Sequence, residues 1–597
     1  MNLRRLTLLP LLLAAAWPLA GWSATHEPGP RRSVVAYDPA EDPAGARVIV
    51  KYRTGSTLMK VQAAGSGEGA ASTASAGPQQ AATMARRLGL ALRDGITLGR
   101  RSQVLHGDKS LSSRALAARL AADPEVEYAV PDLRRRAFAV PNDPLFNAAA
   151  GISPAVGQWY LRAPDSTVKA SINAVGAWDL STGASSVTVA VLDTGVRLNH
   201  PDLAGKLQSG YDFIADRVTA NDGSGRDADP SDPGDWTNAN ECASGEPASD
   251  SSWHGTQVSG LIGASTNNGV GMAGVGRSVM LLPVRVLGRC GGFDSDIIAG
   301  MRWAAGLSET QSNPRPAKVL NMSLGSTGSC SVSEAPDYVD VFNELTAAGV
   351  TVVVASGNDT GHAVGVPANC PGAIAVAGVR HIGTKVGYSN VGPEMTIAAP
   401  AGNCVEDNTC LYPLLTTTNS GTKGPALNTY SDSTNYSVGT SFATPLVAGT
   451  VGLMLSVNPK MTPAQIKTAL RNSARPFPTT GSDADVVACH APDDTDQLEC
   501  YCTTSTCGAG LLDTQGAVAL AAADRVFDWA ESVYPQLFPK PATSGYFAPY
   551  TYRYYPATGI YLGTANGRIY LHDGREWNLT DVGPMSQYLP QAAAAGF

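Results

Sequence analysis

Five short runs of consecutive apolar residues lie between residues 187 and 379, and each stops at a polar residue or a glycine. The runs cover residues 187–193, 280–287, 318–325, 350–357 and 373–379. Uninterrupted apolar runs of this length are typical of strands that are buried on both faces of a parallel sheet. Segments with helical spacing, such as 295–306, separate them. The pattern therefore predicts a doubly wound, mostly parallel α/β sheet, with a site formed by loops at the carboxyl ends of its strands.

The chain before this region has a different pattern. Residues 47–52 and 126–132 are typical of strands, and 111–124 have helical spacing. A tract rich in Gly, Ala, Ser and Gln at 63–82 is interpreted as a flexible insertion. We expect a small α+β unit here.

The last 74 residues contain nine of the 20 tyrosines, and they alternate like short strands joined by glycine-containing turns. They predict a small β-rich appendage. Tyr552, Tyr554 and Tyr561 either fill its small core, which is the interpretation we favour, or form an exposed row that contacts a polymer such as a sugar or cell wall.

The chain begins with two arginines, an apolar stretch and small residues up to Ser23. This order is typical of a secretory signal peptide. Pro10 and Pro18 interrupt the stretch, which is also short for a membrane span, and no later stretch is long and apolar enough to be one. We predict a protein that is secreted to the extracellular medium, as in bacteria, without a membrane partner.

Charge and cysteine divide the chain in the same way. Only 16% of residues are charged, against about 25% in typical proteins, and the net charge is −8, which gives no reason to expect nucleic acid as a partner. Residues 1–140 have a net charge of +8, so the remainder carries −16. All ten cysteines lie between Cys242 and Cys507. In an exported chain they indicate disulfides rather than metal ligands or free thiols, with the pairing open.

Three polar residues stand where predicted buried elements begin or end. Asp193 closes the first apolar run, His254 opens an apolar helix in WHGTQVSG, and Ser441 opens another in GTSFATPLVAG. Each alone is weak evidence. Together, in the order Asp, His, Ser, they are the groups that acyl transfer needs: a carboxylate, a base and a nucleophile.

The segments DTG at 193, HGT at 254 and GTSFATP at 439 resemble the three signatures of the subtilisin-like serine peptidases. The resemblance covers residues 141–520 and is closest to the secreted, cysteine-containing bacterial branch. It implies a serine endopeptidase with a Ser441–His254–Asp193 triad and no cofactor for catalysis. It also implies that Asn358 donates to the oxyanion.

The resemblance further implies that an extended peptide binds beside backbone edges. No buried acid is evident at the primary pocket, so we expect broad specificity with an apolar preference, although Asp359 near the rim could favour a basic side chain. A selective processing peptidase is the alternative, and a polymer-binding protein acting through the appendage is another. The predicted substrate-binding residues are Gly291, Gly292, Ser323, Leu324, Gly325, Ala355, Ser356 and Gly357.

Aspartates alternate with glycine and proline at 221–235, and hard oxygen ligands on turns suit Ca²⁺. Related peptidases carry calcium in this region, so we expect a structural calcium rather than a merely solvated acidic loop. A second calcium loop of the family looks shortened at 267–269, which puts that site in doubt. The candidate ligands are Asp216, Asp222, Asp227, Asp229 and Asp235.

The basic N-terminal segment resembles the family's propeptide, which assists folding and blocks the cleft until it is cut. We therefore predict a zymogen that processes itself between residues 133 and 140, with cleavage at the Arg134–Arg136 run by another protease as the alternative. The chain is expected to act as a monomer whose partners are its protein substrates and its own propeptide. The predicted organisation is a signal peptide at 1–23, a propeptide at 24–138, a peptidase domain at 139–523 and the appendage at 524–597.

Overall fold

The computed structural model describes most of the chain, in two compact units, Met1–Ala139 and Val140–Phe597. The predicted signal peptide and nearly all of the predicted processing region, residues 133–139, lie outside the described residues. The described residues are 45–58, 76–99, 101–108, 111, 113–132, 140–147, 153–402, 404, 410–482, 485–547, 550–565, 568–572 and 580–595.

The first unit is a four-stranded antiparallel sheet with two helices. In order across the sheet, the strands are β2 (Arg93–Gly99), β3 (Ser102–His106), β1 (Arg47–Tyr52) and β4 (Val126–Pro131). Alternate residues of β1, Val48, Val50 and Tyr52, are buried against Met84 and Leu120 of the helices. This is the predicted α+β arrangement. Its helices are α1 (Ala76–Leu88) and α2 (Ser113–Ala121).

The prediction of a flexible tract at 63–82 is wrong for its last residues. Residues 76–82 form the first turns of α1, and residues 63–75 lie outside the described residues. Alanine and glutamine are good helix formers, and burial of Ala81 and Met84 provides the packing that stabilises a short helix.

The second unit is built around a seven-stranded parallel sheet. In order across the sheet, the strands are β11 (Met395–Pro400), β10 (Ile374–Val379), β9 (Thr351–Ala355), β8 (Val319–Met322), β5 (Thr188–Asp193), β7 (Met280–Arg285) and β6 (Tyr211–Asp212), and every neighbouring pair is parallel. All residues of β5, β8, β9 and β10 are buried, which confirms the predicted α/β sheet. A separate antiparallel pair consists of β12 (Thr417–Asn419) and β13 (Asn428–Tyr430).

Helices cover the sheet, and α8 (Thr440–Val457) is the most buried of the long ones. The prediction that no later stretch is long and apolar enough for a membrane span is wrong by length and composition for α8, the one such helix among the described residues, but 89% of this helix is buried inside the protein, as expected of a core helix. The helices of this unit are α3 (Ala174–Trp178), α4 (Arg217–Ala220), α5 (His254–Gly263), α6 (Asp294–Ala304), α7 (Pro336–Ala347), α8 (Thr440–Val457), α9 (Pro463–Ser473), α10 (Thr514–Val533) and α11 (Met585–Ala594).

The C-terminal part is an antiparallel sheet that packs on α10. The boundary predicted at 523/524 falls within this helix, whose second half contributes Phe527 and Glu531 to contacts with the sheet. The strands follow one another in the order β14 (Thr543–Phe547), β15 (Tyr550–Tyr555), β16 (Ile560–Ala565), β17 (Arg568–His572) and β18 (Thr580–Pro584).

The two faces of this sheet differ. Tyr555, Leu562 and Leu571 are buried on the face toward α10. Tyr552, Tyr554, Tyr561 and Tyr570 alternate with the buried residues and are half-buried, and the rings of Tyr554 and Tyr561 lie 4.4 Å apart. The favoured interpretation that the first three of these tyrosines fill the small core is therefore wrong, because their register places them on the opposite face.

All ten cysteines are paired, which confirms the disulfide prediction. The Cα atoms of each pair lie 4.8–5.6 Å apart, the usual spacing for disulfides. The pairs are Cys242–Cys290, Cys330–Cys370, Cys404–Cys410, Cys489–Cys500 and Cys502–Cys507.

Candidate active site

Asp193, His254 and Ser441 come from three elements that meet at the carboxyl edge of the parallel sheet. Asp193 is the last residue of β5, His254 is the first of α5 and Ser441 is the second of α8. The start of α5 lies very close to the chain after β5. A Cβ on Gly255 would lie 2.1 Å from the carbonyl oxygen of Gly195, so a glycine is required beside His254.

Asp193 orients His254. Its Oδ1 atom lies 2.8 Å from Nδ1 of the imidazole and also accepts a 2.8 Å hydrogen bond from the N–H of Thr194. Because a carboxylate only accepts, Nδ1 carries the proton and Nε2 of the neutral ring is left as a base. The Asp193 side chain is fully buried, while that of His254 is 20% exposed.

The surroundings of His254 act on its pKa in opposite directions. Burial, the largest single cause, lowers the pKa, while the charge and hydrogen bond of Asp193 and the charges of Asp235 and Asp232 raise it. The net effect raises the pKa of His254 above its ordinary value of 6.5. The protonated form is therefore stabilised, as expected of a base that must accept a proton during a reaction.

Ser441 lies beside the end of β8. Its Oγ donates to the carbonyl oxygen of Ser323 at 3.2 Å, and Oγ of Ser323 donates to the carbonyl oxygen of Ser441 at 2.8 Å. The ring of Phe442, the next residue, lies 5.6 Å from that of His254. The Ser441 side chain is thus at the start of a helix and lines the cleft.

Asn358 follows β9, and its amide orientation is determined by α8. Oδ1 accepts hydrogen bonds from the backbone N–H of Thr440 at 2.9 Å and from its hydroxyl at 3.1 Å. Because both Thr440 groups donate, the side-chain atom that faces them must be the amide oxygen, Oδ1. The amide nitrogen, Nδ2, is therefore left to donate elsewhere, and no described residue accepts a hydrogen bond from it. Thr440 was not among the predicted site residues, although it belongs to the GTS signature.

Two cavities meet at this edge, and they contain all eight predicted substrate-binding residues. One, of about 400 Å³, is lined by the segments 323–327 and 355–359 together with Ser441. The other, of about 510 Å³, is lined by His254, Gly291 and Gly292 and shares the 323–326 segment. The cleft therefore runs past His254 and Ser441, with exposed backbone on both sides.

The five predicted calcium ligands do not surround one point. Asp216 caps α4 through Thr219, Asp235 accepts from Ser252, and Asp229 accepts from Ser231. Asp222 and Asp227 share one partner, the hydroxyl of Ser224, and Asp222 also pairs with Arg285. Within the described residues, the one group of three potential ligands within 4.8 Å consists of Cys489, Cys502 and Cys507, which are in disulfides. The residues present do not fit a single five-carboxylate site.

A buried parallel sheet with an aspartate, a histidine and a serine at one edge, next to an amide donor, defines the class of α/β serine hydrolases. The model of the Subtilase family matches residues 184–516. The chain belongs to this family, and it is a serine endopeptidase.

Individual relatives agree with this assignment. The chain is 38% identical over 482 residues, 80% of its length, to an extracellular protease of Xanthomonas campestris, and covers 73% of that protein. It is 34% identical over 369 residues to an extracellular basic protease of Dichelobacter nodosus, covering 60% of this chain and 56% of that protein. A solved protease from Pseudoalteromonas arctica matches with a TM-score of 0.54 and 40% identity, covering 64% of this chain and 99% of that one.

Proposed function

We propose that this chain is an exported endopeptidase in which Ser441 is the nucleophile, His254 the general base and then acid, and Asp193 the orienting carboxylate. The observation that carries the proposal is the 2.8 Å contact between Asp193 and His254 at the carboxyl edge of the sheet, where the ring of Phe442, the residue after Ser441, lies 5.6 Å from the imidazole. It is tested by replacing each of the three residues and measuring peptide hydrolysis by folded, matured enzyme.

The reaction follows from these positions. Nε2 of His254 takes the proton of the Ser441 hydroxyl as Oγ attacks the carbonyl carbon of the peptide bond. The tetrahedral intermediate collapses when the C–N bond breaks, and His254 gives its proton to the leaving amine. A water molecule, deprotonated by His254, then attacks the acyl ester, and His254 returns the proton to Oγ of Ser441 as the C–O bond breaks and the carboxylate product is released.

Asn358 and the backbone N–H of Ser441 would donate to the oxyanion of both intermediates. Support for this comes from the two hydrogen bonds from Thr440 to Oδ1, which leave Nδ2 of Asn358 as the available donor. Such a preoriented dipole stabilises charge that develops only in the transition state.

An extended substrate would lie between Gly291–Gly292 and Ser323–Gly325. The substrate residue immediately before the cleaved bond would place its side chain in the 400 Å³ cavity. The acid that lines this cavity, Asp359, is exposed rather than buried, which supports broad specificity with an apolar preference. A selective processing peptidase is the alternative. Digestion of a panel of unrelated unfolded proteins tests this, because a selective enzyme would cut only one or two of them.

We also propose secretion and autoprocessing. The relatives from Xanthomonas and Dichelobacter are named extracellular proteases, and the N-terminal sequence is typical of an export signal. The basic first unit, which folds as a compact body of its own, would be the propeptide of a monomeric zymogen. Mass spectrometry of secreted wild type and Ser441→Ala tests autoprocessing, since a variant that still loses residues 24–138 when produced alone would contradict it.

Calcium binding in the acidic segment also remains our proposal. Asp222 and Asp227, which face the same hydroxyl, are the pair that supports it best. Unfolding temperatures of wild type and of Asp222→Asn/Asp227→Asn with calcium or with chelator test it. Only the wild type is expected to respond.

The second candidate function is binding of an uncharged polysaccharide by the tyrosine face of the C-terminal sheet. Tyr552 and Tyr570 flank Gly563 in one row across the strands, and Tyr554, Tyr561 and His572 form the next row. The nearby acids, Asp524, Asp528 and Glu531, pair instead with Arg553 on the opposite face. The face thus offers aromatic rings and hydroxyls, and at its edge the strand register pairs Tyr570 with Asp581.

A further inference from the structure

A buried lysine, Lys385, begins the loop that ends at Asn390, a residue that lines the 400 Å³ cavity. Lys385 is completely inaccessible to solvent, and its ammonium donates to the carbonyl oxygens of Val386, Gly387 and Ser389 at 3.0, 2.8 and 3.1 Å. No carboxylate of the described residues pairs with it. All three N–H groups of the Lys385 ammonium therefore donate to carbonyl oxygens of the next four residues. The loop that these residues form is folded around the ammonium group.

The residue at the end of that loop, Asn390, contacts both neighbours of Asn358. The backbone N–H of Asn390 donates to the carbonyl oxygen of Gly357 at 3.2 Å. Its side-chain Oδ1 accepts from the N–H of Asp359 at 2.7 Å, while Nδ2 donates to a carboxylate oxygen of Asp359 and to the carbonyl oxygen of Ala363, both at 3.0 Å. Asn390 is itself buried, with 1% of its surface exposed.

The packing between Asn390 and Gly357 is close. Gly357 has a φ of +106°, and a Cβ built on it would lie 2.6 Å from Nδ2 of Asn390. The backbone at Asn358 therefore has two restraints: α8 holds its side chain through Thr440, and Asn390 holds the peptides before and after it.

We propose that Asn390, with the loop that Lys385 organises, is a positioning residue for Asn358: it sets where the amide donor stands relative to Ser441. Lys385 does not line either cavity, and Asn390, which is 1% exposed at the wall of the 400 Å³ cavity, acts on Asn358 through the peptides on either side of it. This inference rests on the proposed role of Asn358. Its physical basis is that an oxyanion donor contributes fully only when it stands within hydrogen-bond distance of the position that the oxyanion will occupy.

A double-mutant cycle tests the inference. Asn390→Ala and Lys385→Met are each made in wild type and in Asn358→Ala, in the full-length zymogen, and matured by tagged wild-type enzyme that is then removed. In the wild-type background we expect each to lower kcat about tenfold, with KM changed less than about twofold. In the Asn358→Ala background we expect a loss of less than about twofold, because the donor that they position is already gone.

Lys206→Met is the matched control. Lys206 is also buried, donates to a backbone carbonyl oxygen, that of Arg277, at 2.8 Å, and lies near the start of β7, away from the cleft. Burial lowers the pKa of both lysines to about 7. Its loss is expected to lower the unfolding temperature as Lys385→Met does, without changing kcat.

Three outcomes separate the possibilities. Equal losses in the two backgrounds, or an equal loss of kcat in Lys206→Met, would show a general structural role and overturn the inference. Normal kcat in Asn358→Ala would overturn the proposed oxyanion donor itself. If Lys385→Met does not fold, Asn390→Asp replaces it in the test. This variant keeps the oxygen that accepts from the N–H of Asp359 but loses the N–H that donates to the Asp359 carboxylate. Its loss of kcat should depend on Asn358 in the same way.

Discussion

The parallel sheet and the C-terminal sheet of the second unit use their strands in opposite ways. In the parallel sheet both faces are covered, and the polar groups lie at one edge, where Asp193 ends a strand. In the C-terminal sheet one face packs on α10 and the other presents tyrosines along its length.

The difference shows how each surface acquires its geometry. The edge site depends on residues that are 61 and 118 positions apart along the chain, as in the His254–Asp193 and Ser441–Ser323 contacts. The tyrosine face depends only on strand register, since Tyr554 and Tyr561 are paired directly across β15 and β16. A single replacement should therefore abolish the function of the first surface but only weaken that of the second.

Ser441→Ala gives the largest expected effect. Loss of the nucleophile should lower kcat for peptide hydrolysis by about 10⁶-fold, because no other group can form the acyl intermediate. Retention of the full chain on insoluble neutral polysaccharide should be unchanged. Loss of both properties in a folded variant would contradict the separation of the two surfaces.

Asn358→Ala should lower kcat by about 10²–10³-fold with little change in KM, because the donor acts on the oxyanion and not on the bound substrate. Steady-state kinetics with a peptide anilide measures both constants. A change confined to KM would instead assign Asn358 to substrate binding.

Gly439→Ala should lower kcat about tenfold. Gly439 has a φ of +153°, and its added Cβ would lie 3.3 Å from Nδ2 of Asn358, so the amide must shift. Gly349→Ala is the control, because that glycine also has a positive φ, +71°, but open space around it. The control should lose stability but keep its kcat.

Tyr554→Ser together with Tyr561→Ser should weaken retention on neutral polysaccharide about tenfold and leave peptide hydrolysis unchanged. Centrifugation with insoluble polysaccharide, with bovine albumin present to suppress non-specific adsorption, measures the bound fraction. Equal retention of wild type and variant would show that the tyrosine face does not bind this polymer.

The pH dependence gives the smallest effect. Activity requires neutral His254, so kcat/KM should rise with pH through the pKa of His254, which lies above its ordinary value of 6.5. Asp235→Asn removes one negative charge that raises this pKa, and the midpoint should fall by roughly a few tenths of a unit. Asp294→Asn, at an exposed acid in the same cavity, is the control. A rise of the midpoint in Asp235→Asn would contradict the electrostatic account.

The elements of the site could be predicted because local patterns specify them. Asp193 had to end a strand and Ser441 had to begin a helix, since the apolar runs beside them are long enough to be buried. Asn390 could not be found in this way. Its importance comes from contacts with Gly357 and Asp359, 33 and 31 positions earlier, and nothing in its own neighbourhood differs from an ordinary turn.

The errors have related causes. Residues 76–82 were assigned to a flexible tract from composition, but burial of Ala81 makes them helical. The tyrosines were assigned to a core from their apolar rings, but register placed them on the other face. The calcium ligands stay a prediction: the turns direct the five aspartates to separate partners such as Ser252 and Arg285, which their spacing along the chain does not reveal.

Three features could be predicted from the sequence: the parallel α/β sheet, the order of Asp193, His254 and Ser441, and the presence of disulfides among the ten cysteines. Hydrophobic periodicity and short motifs are local properties, so they can be recognised without knowledge of the fold. The tertiary structure alone decided which cysteines pair, which face the tyrosines occupy and how Asn358 is held between α8 and Asn390. These depend on which distant segments meet when the apolar surface is buried, and the resulting contacts are between residues whose separation along the chain carries no signal.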